Sequence, residues 1–222
     1  MSEPTTSQAP RAYVRLCESL ASRGERPAVS HGLGELTRAL TASRPGGIFL
    51  CLGRGAGEMA TWIFDGMDLS GRLVVVVQNN QEADVLRPLL DDDMRITVHV
   101  QDALAFLGDV RDHRFDLITD LNPAEGAGIA PMALRRLALG AFYLSLHGAR
   151  ELAGILSVEN AAAPGEEEAL NANSFAFAQL PAELAVSLIV HGPQRAQTKR
   201  RGGRRARQGV TPLFSAKTPR RR

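Results

Sequence analysis

The sequence predicts an α/β protein built on a doubly wound, mainly parallel sheet, and three observations carry that expectation. Apolar runs of strand length alternate with segments of helical spacing five times over. One run, Leu73 to Val77, is apolar and mostly β-branched without polar alternation, as a central parallel strand covered on both faces requires. Another, Ile48 to Leu52, passes directly into Gly53-Arg54-Gly55-Ala56-Gly57-Glu58, alternating glycines that open a helix.

In chain order, residues 1 to 9 are polar and read as a disordered leader. Tyr13, Val14, Leu16, Cys17, Leu20 and Ala21 recur at helical spacing between Pro10 and about Ser22. A second helix is expected from Gly32 to about Ser43, ended by Arg44-Pro45-Gly46-Gly47. Both read as packing helices. After the strand Ile48 to Leu52 and the glycine turn, a helix is expected from about Ala56 to Phe64, then a turn from Gly66 to Gly71 and the strand Leu73 to Val77. A helix from Glu82 to about Leu90 precedes a short strand, Arg95 to Val100, and Asp102 opens a helix through Leu107. The polar turn Arg111 to Arg114 leads to the strand Phe115 to Thr119. Pro131 to Leu146 reads as one long amphipathic helix and Leu152 to Val158 as a further buried strand. Glu183 to Val190 and Val210 to Ala216 read as two strands joined by an Arg-rich segment, an antiparallel pair suited to one edge of the sheet.

A chain of 222 residues is long enough for one such domain with appendages and short for two. No apolar run has transmembrane length and no signal-peptide pattern is present, so a cytoplasmic protein without a membrane span is expected. Cys17 and Cys51 fit neither a disulfide framework nor a metal knuckle and read as reduced packing residues. All 24 acidic residues precede position 194, while Arg195, Lys199, Arg200, Arg201, Arg204, Arg205 and Arg207 crowd the segment that follows. Such a run suits a solvated tail, an anionic partner or nucleic acid. No aromatic residue interleaves Lys199 to Arg207, so a base-stacking platform is not indicated.

A strand followed by G-x-G-x-G brings backbone N–H groups and a helix N-terminus close to a ligand, because no Cβ intrudes. The glycine turn is therefore a candidate nucleotide-type cofactor loop. A tight turn without a ligand has the same signature.

With these positions laid out, the sequence resembles the class I S-adenosylmethionine-dependent methyltransferases, and more narrowly the metal-dependent O-methyltransferases of the catechol and caffeoyl-coenzyme A type. The likeness spans about residues 28 to 192. The family's E-L-G-T-G-T-G-Y-S, followed shortly by Trp, corresponds to Cys51-Leu52-Gly53-Arg54-Gly55-Ala56-Gly57-Glu58-Met59 followed by Trp62. Its G-D-A appears as Gln101-Asp102-Ala103, and its F-D-L-V-F-I-D-A-D, one residue shorter, as Phe115-Asp116-Leu117-Ile118-Thr119-Asp120-Leu121-Asn122. Its A-D-N after the fifth strand appears as Val158-Glu159-Asn160.

The resemblance implies a seven-stranded Rossmann-like methyltransferase sheet with an antiparallel edge hairpin. Together with the composition of the two ends, it divides the chain into a leader (1–9), a methyltransferase-like domain (10–192), an Arg-rich flexible loop (193–209), a final edge strand (210–217) and a basic tail (218–222). It implies S-adenosylmethionine held by Gly53, Arg54, Gly55, Gly57, Gln78, Asp102, Ala103 and Asp120, with Asp102 near the adenine amino group. Asp120, Glu159 and Asn160 would be hard oxygen ligands for Mg²⁺, which would orient a vicinal diol and acidify its hydroxyl. The chain departs from the pattern at four places. Gln78 stands where an acidic residue bonds the ribose hydroxyls, Cys51 where the family has Glu, Met59 where it has Ser, and Pro123 where it has a lysine base. No catalytic base is therefore named.

The function implied is O-methylation of a small phenolic or catechol-like molecule, with or without a metal. Two other readings stand beside it: a methyltransferase fold that has lost methyl transfer and serves as a binding module, and an RNA methyltransferase that grips phosphates with the segment 195–207. A homodimer is one possible assembly.

Overall fold

The computed structural model describes residues 8–90, 93–122, 126–148, 152, 174–182, 184 and 186–192. Two helices, α1 (Arg11–Ser22) and α2 (His31–Ala42), precede the first strand. Strand and helix then alternate: β1 (Ile48–Leu52), α3 (Ala56–Gly66), β2 (Arg72–Val77), α4 (Asn80–Leu90), β3 (Ile96–Val100), α5 (Ala103–Asp109), β4 (Phe115–Asp120), α6 (Gly126–Arg135) and β5 (Leu137–Ser145). The last described elements are the strands β6 (Phe175–Gln179) and β7 (Ser187–His191).

The seven strands form one sheet in the order β3-β2-β1-β4-β5-β7-β6, with β7 antiparallel to both its neighbours and all other pairings parallel. The order reverses between β1 and β4, so the crossover connections lie on opposite faces and leave a crevice at the carboxyl ends of those strands.

Strand periodicity sends alternate side chains to two cores. From β1, Phe49 and Cys51 join Leu73, Val75 and Val77 of β2 under α1 to α4, where Leu16, Leu33, Trp62, Ile63 and Leu86 close the layer. Leu50 and Leu52 face the other way, toward Phe106 and Leu107 of α5 and Ile129, Ala133 and Leu134 of α6. Full burial of each such Leu, Ile or Phe contributes about 1.5–3 kcal/mol against the entropy of ordering the chain. Helix starts are set locally. The Ser30 hydroxyl accepts the Leu33 N–H at 3.3 Å to cap α2, and the Asp102 carboxylate accepts the Ala105 N–H at 2.9 Å to cap α5.

Two expected elements are corrected. Pro131 to Leu146 is not one helix, because α6 ends at Arg135 and the chain re-enters the sheet as β5. Gly140 is incompatible with a continued helix: its φ of +79° is left-handed, and it lies where β5 bulges between its pairings of Leu137 with Phe115 and of Phe142 with Leu117. The run Leu137 to Leu146 satisfies helical spacing, yet its first nine residues form a largely apolar strand, an ambiguity periodicity alone does not resolve. The fifth strand is therefore Leu137–Ser145 and not Leu152 to Val158. Of that stretch only Leu152 is described; it is buried, and its N–H reaches the Gly148 carbonyl at 3.0 Å, a helical turn and not a strand pairing.

The edge hairpin exists, but β7 pairs with β6, which precedes it in the chain. Phe175-Ala176-Phe177-Ala178 carries the period of two that marks β6. The expected partner strand Val210 to Ala216, the Arg-rich segment 193–209 and the tail 218–222 lie outside the described residues, as do residues 1–7, Pro123, Glu159 and Asn160. Among the described residues no helix is long and apolar enough to cross a membrane.

Candidate cofactor site

At the carboxyl end of β1 the chain must turn sharply from the sheet into α3. Gly53 and Gly55 make that turn in the left-handed region, with φ of +67° and +73°. The Gly53 N–H still bonds the Val76 carbonyl of β2 at 3.2 Å, so the loop leaves the sheet only after a last ladder contact. Gly55 is the N-cap of α3 and offers no side chain; the Ala56 N–H bonds the Gly53 carbonyl at 3.1 Å, so the first-turn donors that no cap engages are those of Gly57 and Glu58. Gly57 is small for a different reason: a Cβ there would lie 2.4 Å from Leu86 Cδ2 of α4.

Beside this loop lies a cavity of about 550 Å³, within the range of small-ligand sites. Its floor is Gly53 to Glu58, and its inner side is Val77, Gln78 and Asn79 at the end of β2. Val85 and Leu86 of α4 supply apolar wall, Asn122 closes the β4 side, and α1 with the segment after it, through Leu16, Leu20, Arg23, Glu25, Arg26 and Ala28, forms the outer wall. Asn122 is brought opposite the loop by the pairing of Leu52 with Asp120; a Cβ on Gly53 would lie 3.4 Å from Asn122 Cβ. Asn79 and Glu82 cap α4 jointly, the Asn79 carboxamide oxygen accepting the Glu82 N–H at 2.9 Å.

Of the residues implied by the resemblance, Gly53, Arg54, Gly55, Gly57 and Gln78 converge on this cavity. Asp102 and Ala103 do not line it. The Asp102 carboxylate caps α5, and Ala103 is buried between α5 and the sheet. Asp120 ends β4 beneath the rim with no exposed surface. Its Oδ1 accepts the Asn122 N–H at 3.1 Å and its Oδ2 accepts the Tyr143 hydroxyl at 3.1 Å. Glu159 and Asn160 lie outside the described residues, and the fifth strand they were expected to follow ends instead at Ser145. Among the described residues no group of three or more His, Cys, Asp or Glu side chains is placed to hold a metal ion.

Cys51 and Met59 are fully buried core residues. Burial pushes the Cys51 thiol up to about 12. Glu58 turns away from the loop toward the chain after α1, where its carboxylate accepts the N–H groups of Ala28 and Val29 at 3.0 and 2.8 Å. Burial raises its pKa, opposed by these two amides and by the Arg54 charge. His31 stacks edge-on against Trp62 at 5.2 Å and lies 3.4 Å from Glu35, off the cavity wall.

Sequence reading missed the outer wall, because the apolar face of α1 accounts for Leu16 and Leu20 as packing. The available signal was Arg23-Gly24-Glu25-Arg26-Pro27, a charged turn too polar for a buried connection.

No protein-family model matches the chain, and no curated protein matches it in sequence. Solved structures do match its fold. A methyltransferase from Geobacter sulfurreducens is 19% identical, with 84% of this chain and 91% of that one covered at a TM-score of 0.64. The O-methyltransferase TomG from Streptomyces achromogenes, involved in tomaymycin synthesis and solved with S-adenosylmethionine, is 17% identical over 84% and 92% of the two chains at 0.63. An O-methyltransferase from Bacillus cereus, solved with S-adenosylhomocysteine, is 15% identical over 86% and 91% at 0.62. The fold is thus that of the S-adenosylmethionine-dependent O-methyltransferases, a mainly parallel seven-stranded sheet with an antiparallel edge hairpin.

Proposed function

We propose that this chain binds S-adenosylmethionine in the cavity at the sheet rim and transfers its methyl group to the hydroxyl of a small phenolic or catechol-like molecule. The observation that carries the reading is the meeting, on one cavity, of the left-handed glycine loop, the carboxamide that follows β2 and the carboxamide that follows β4.

The cofactor supplies a sulfonium methyl group already activated for in-line attack, so the protein's task is binding and alignment. The Gly57 and Glu58 N–H groups in the first turn of α3, with Arg54 beside them, suit the carboxylate of the cofactor's amino-acid end. Gln78 suits the ribose hydroxyls as an uncharged partner, a weaker acceptor than a carboxylate. Val77, Val85 and Leu86 supply an apolar surface for the base. Asn122 faces the loop where the methyl acceptor would approach. The hydroxyl must lose its proton as the C–O bond forms, and no described side chain is placed to be named as the base.

Metal assistance fits the placement of Asp120 poorly. A bound Mg²⁺ asks for carboxylate oxygens with open coordination positions and retained waters. Asp120 is sealed under the rim with both oxygens engaged. The reaction is therefore written without an ion.

Gln78 favours a second reading, a binding module with no turnover, since a neutral acceptor weakens the cofactor's hold. Incubation with methyl-labelled S-adenosylmethionine and a panel of catechol, caffeate and simple phenols, with and without chelator, separates the two. Labelled O-methyl product with equimolar S-adenosylhomocysteine supports the enzyme. Cofactor binding with no product from any acceptor supports the binding module.

A further inference from the structure

We infer that Glu58 is a positioning residue: it fastens the segment 23–29 across the glycine loop and thereby completes the outer wall of the cavity. Glu58 sits in the first turn of α3 at 6% exposure, and its carboxylate is held by backbone amides. Its Oε1 accepts the Ala28 N–H at 3.0 Å and its Oε2 accepts the Val29 N–H at 2.8 Å. Two consecutive amides thus meet the two oxygens of one carboxylate, an arrangement in which the buried charge is offset by charge-assisted hydrogen bonds.

The same segment is held from its other side. The Tyr13 hydroxyl of α1 donates to the Val29 carbonyl at 2.7 Å. It also lies directly on the loop, because a Cβ on Gly55 would come within 3.4 Å of Ala28 Cβ and 3.7 Å of Val29 Cγ2. Between these anchors and α1, residues 23–28 are exposed on their outer side and line the cavity through Arg23, Glu25, Arg26 and Ala28. At its start the segment is tied to α1 by the N–H groups of Arg23, Gly24 and Glu25 on the Leu20 and Ala21 carbonyls at 3.0 Å; an exposed wall held at its two ends stays in place only while both ends hold. Neither Ala nor Leu at position 58 would hold it, and Gln supplies one acceptor oxygen while setting an NH₂ against the second amide.

The consequence for ligand binding rests on the reading of the cavity as a cofactor site. The fastened residues Ala28 and Val29 lie against Gly55, next to Arg54, the end assigned to the cofactor's amino-acid moiety. Loss of the Glu58 anchor should therefore weaken S-adenosylhomocysteine far more than adenosine. A purely structural role would lower thermal stability without that discrimination.

The test compares the parent chain with E58A and E58Q, each well below its own melting temperature. S-adenosylhomocysteine and adenosine affinities are measured by calorimetry, and trypsin cleavage at Arg23-Gly24 is followed in parallel; Arg26 precedes Pro27 and is resistant. We expect E58A to weaken S-adenosylhomocysteine by about tenfold or more with adenosine within about twofold, and E58Q to fall between. Cleavage at Arg23 should accelerate in the order parent, E58Q, E58A. Unchanged cleavage in the variants overturns the fastening, and equal losses for both ligands overturn the positioning role. If E58A does not fold, E58Q decides by the same two readouts. If the parent binds neither ligand, the cofactor reading fails and takes the affinity claim with it, while cleavage still decides whether Glu58 holds the segment.

Discussion

Tyr143 on β5 donates its hydroxyl to the Asp120 carboxylate on β4 across 3.1 Å, and both side chains are fully buried. The register sets the contact: Asp120 pairs with Ser145 and Thr119 with Leu144, which places Tyr143 diagonally across from Asp120 under the rim. Asp120 also accepts the Asn122 N–H, so this pair fixes the turn that presents Asn122 to the cavity.

Y143F removes one donor from a buried carboxylate and should cost about 1–3 kcal/mol, read as a melting temperature lower by about 2–4 °C per kcal/mol. Unchanged melting would show that the contact carries no stability. The phenol's own titration gives a second readout. Burial, and then the Asp120 charge, hold Tyr143 well above its ordinary value; burial and Cys17 raise Tyr13 likewise. Both groups therefore favour the folded state fully below the unfolded tyrosine pKa of about 10. That stability is lost as pH rises past it, because the unfolded chain releases the protons first. The native protein should show no phenolate absorbance step near pH 10; a step of one phenol's amplitude would contradict one of the two placements and a step of two would contradict both.

Gly34 lets α2 approach α3, since a Cβ there would lie 2.1 Å from Trp62 Cε2 inside a fully buried ring. G34A should push the helices apart, cost about 1–3 kcal/mol and shift the emission of the single tryptophan toward that of a hydrated indole. Unaltered emission and stability would mean that the ring moves aside freely.

Cys51 is sealed inside β1, and burial holds its thiol up at about 12. Alkylation of the native protein near neutral pH should leave Cys51 unmodified until denaturant is added. Cys17 is half-buried on α1, with its thiol also raised by burial, so it should react slowly and first. Rapid labelling of Cys51 in the native state would contradict its placement.

How far the sequence was legible follows from which signals are local. The strand-glycine-helix junction at Leu52 to Ala56, the Asp102 cap and the β-branched run of β2 each encode their geometry within a few residues, and they stand where expected. The stretch after Arg135 does not. Leu137 to Leu146 fits helix or strand equally, and only tertiary pairing with β4 and β7, with a bulge at the left-handed Gly140, decides for strand. That one ambiguity displaced the fifth strand and with it the position expected for Glu159-Asn160. The cavity floor was readable because glycines announce it. Its outer wall was not, because the Glu58 contact with Ala28 and Val29 joins residues about 30 positions apart through backbone amides, which leave no trace in side-chain pattern.

The central claim, that the Gly53 to Gly57 loop holds a sulfonium cofactor, is tested most directly by calorimetric titration of S-adenosylhomocysteine into the parent chain and Gly55→Val. A β-branched residue at a φ of +73°, with Leu121, Ala28 and Val29 already against the site, cannot keep the loop. Saturable binding by the parent at one site per chain, weakened about a hundredfold or more in Gly55→Val, is the predicted result. Absence of binding by the parent at millimolar ligand, or equal binding by a folded Gly55→Val, would contradict it.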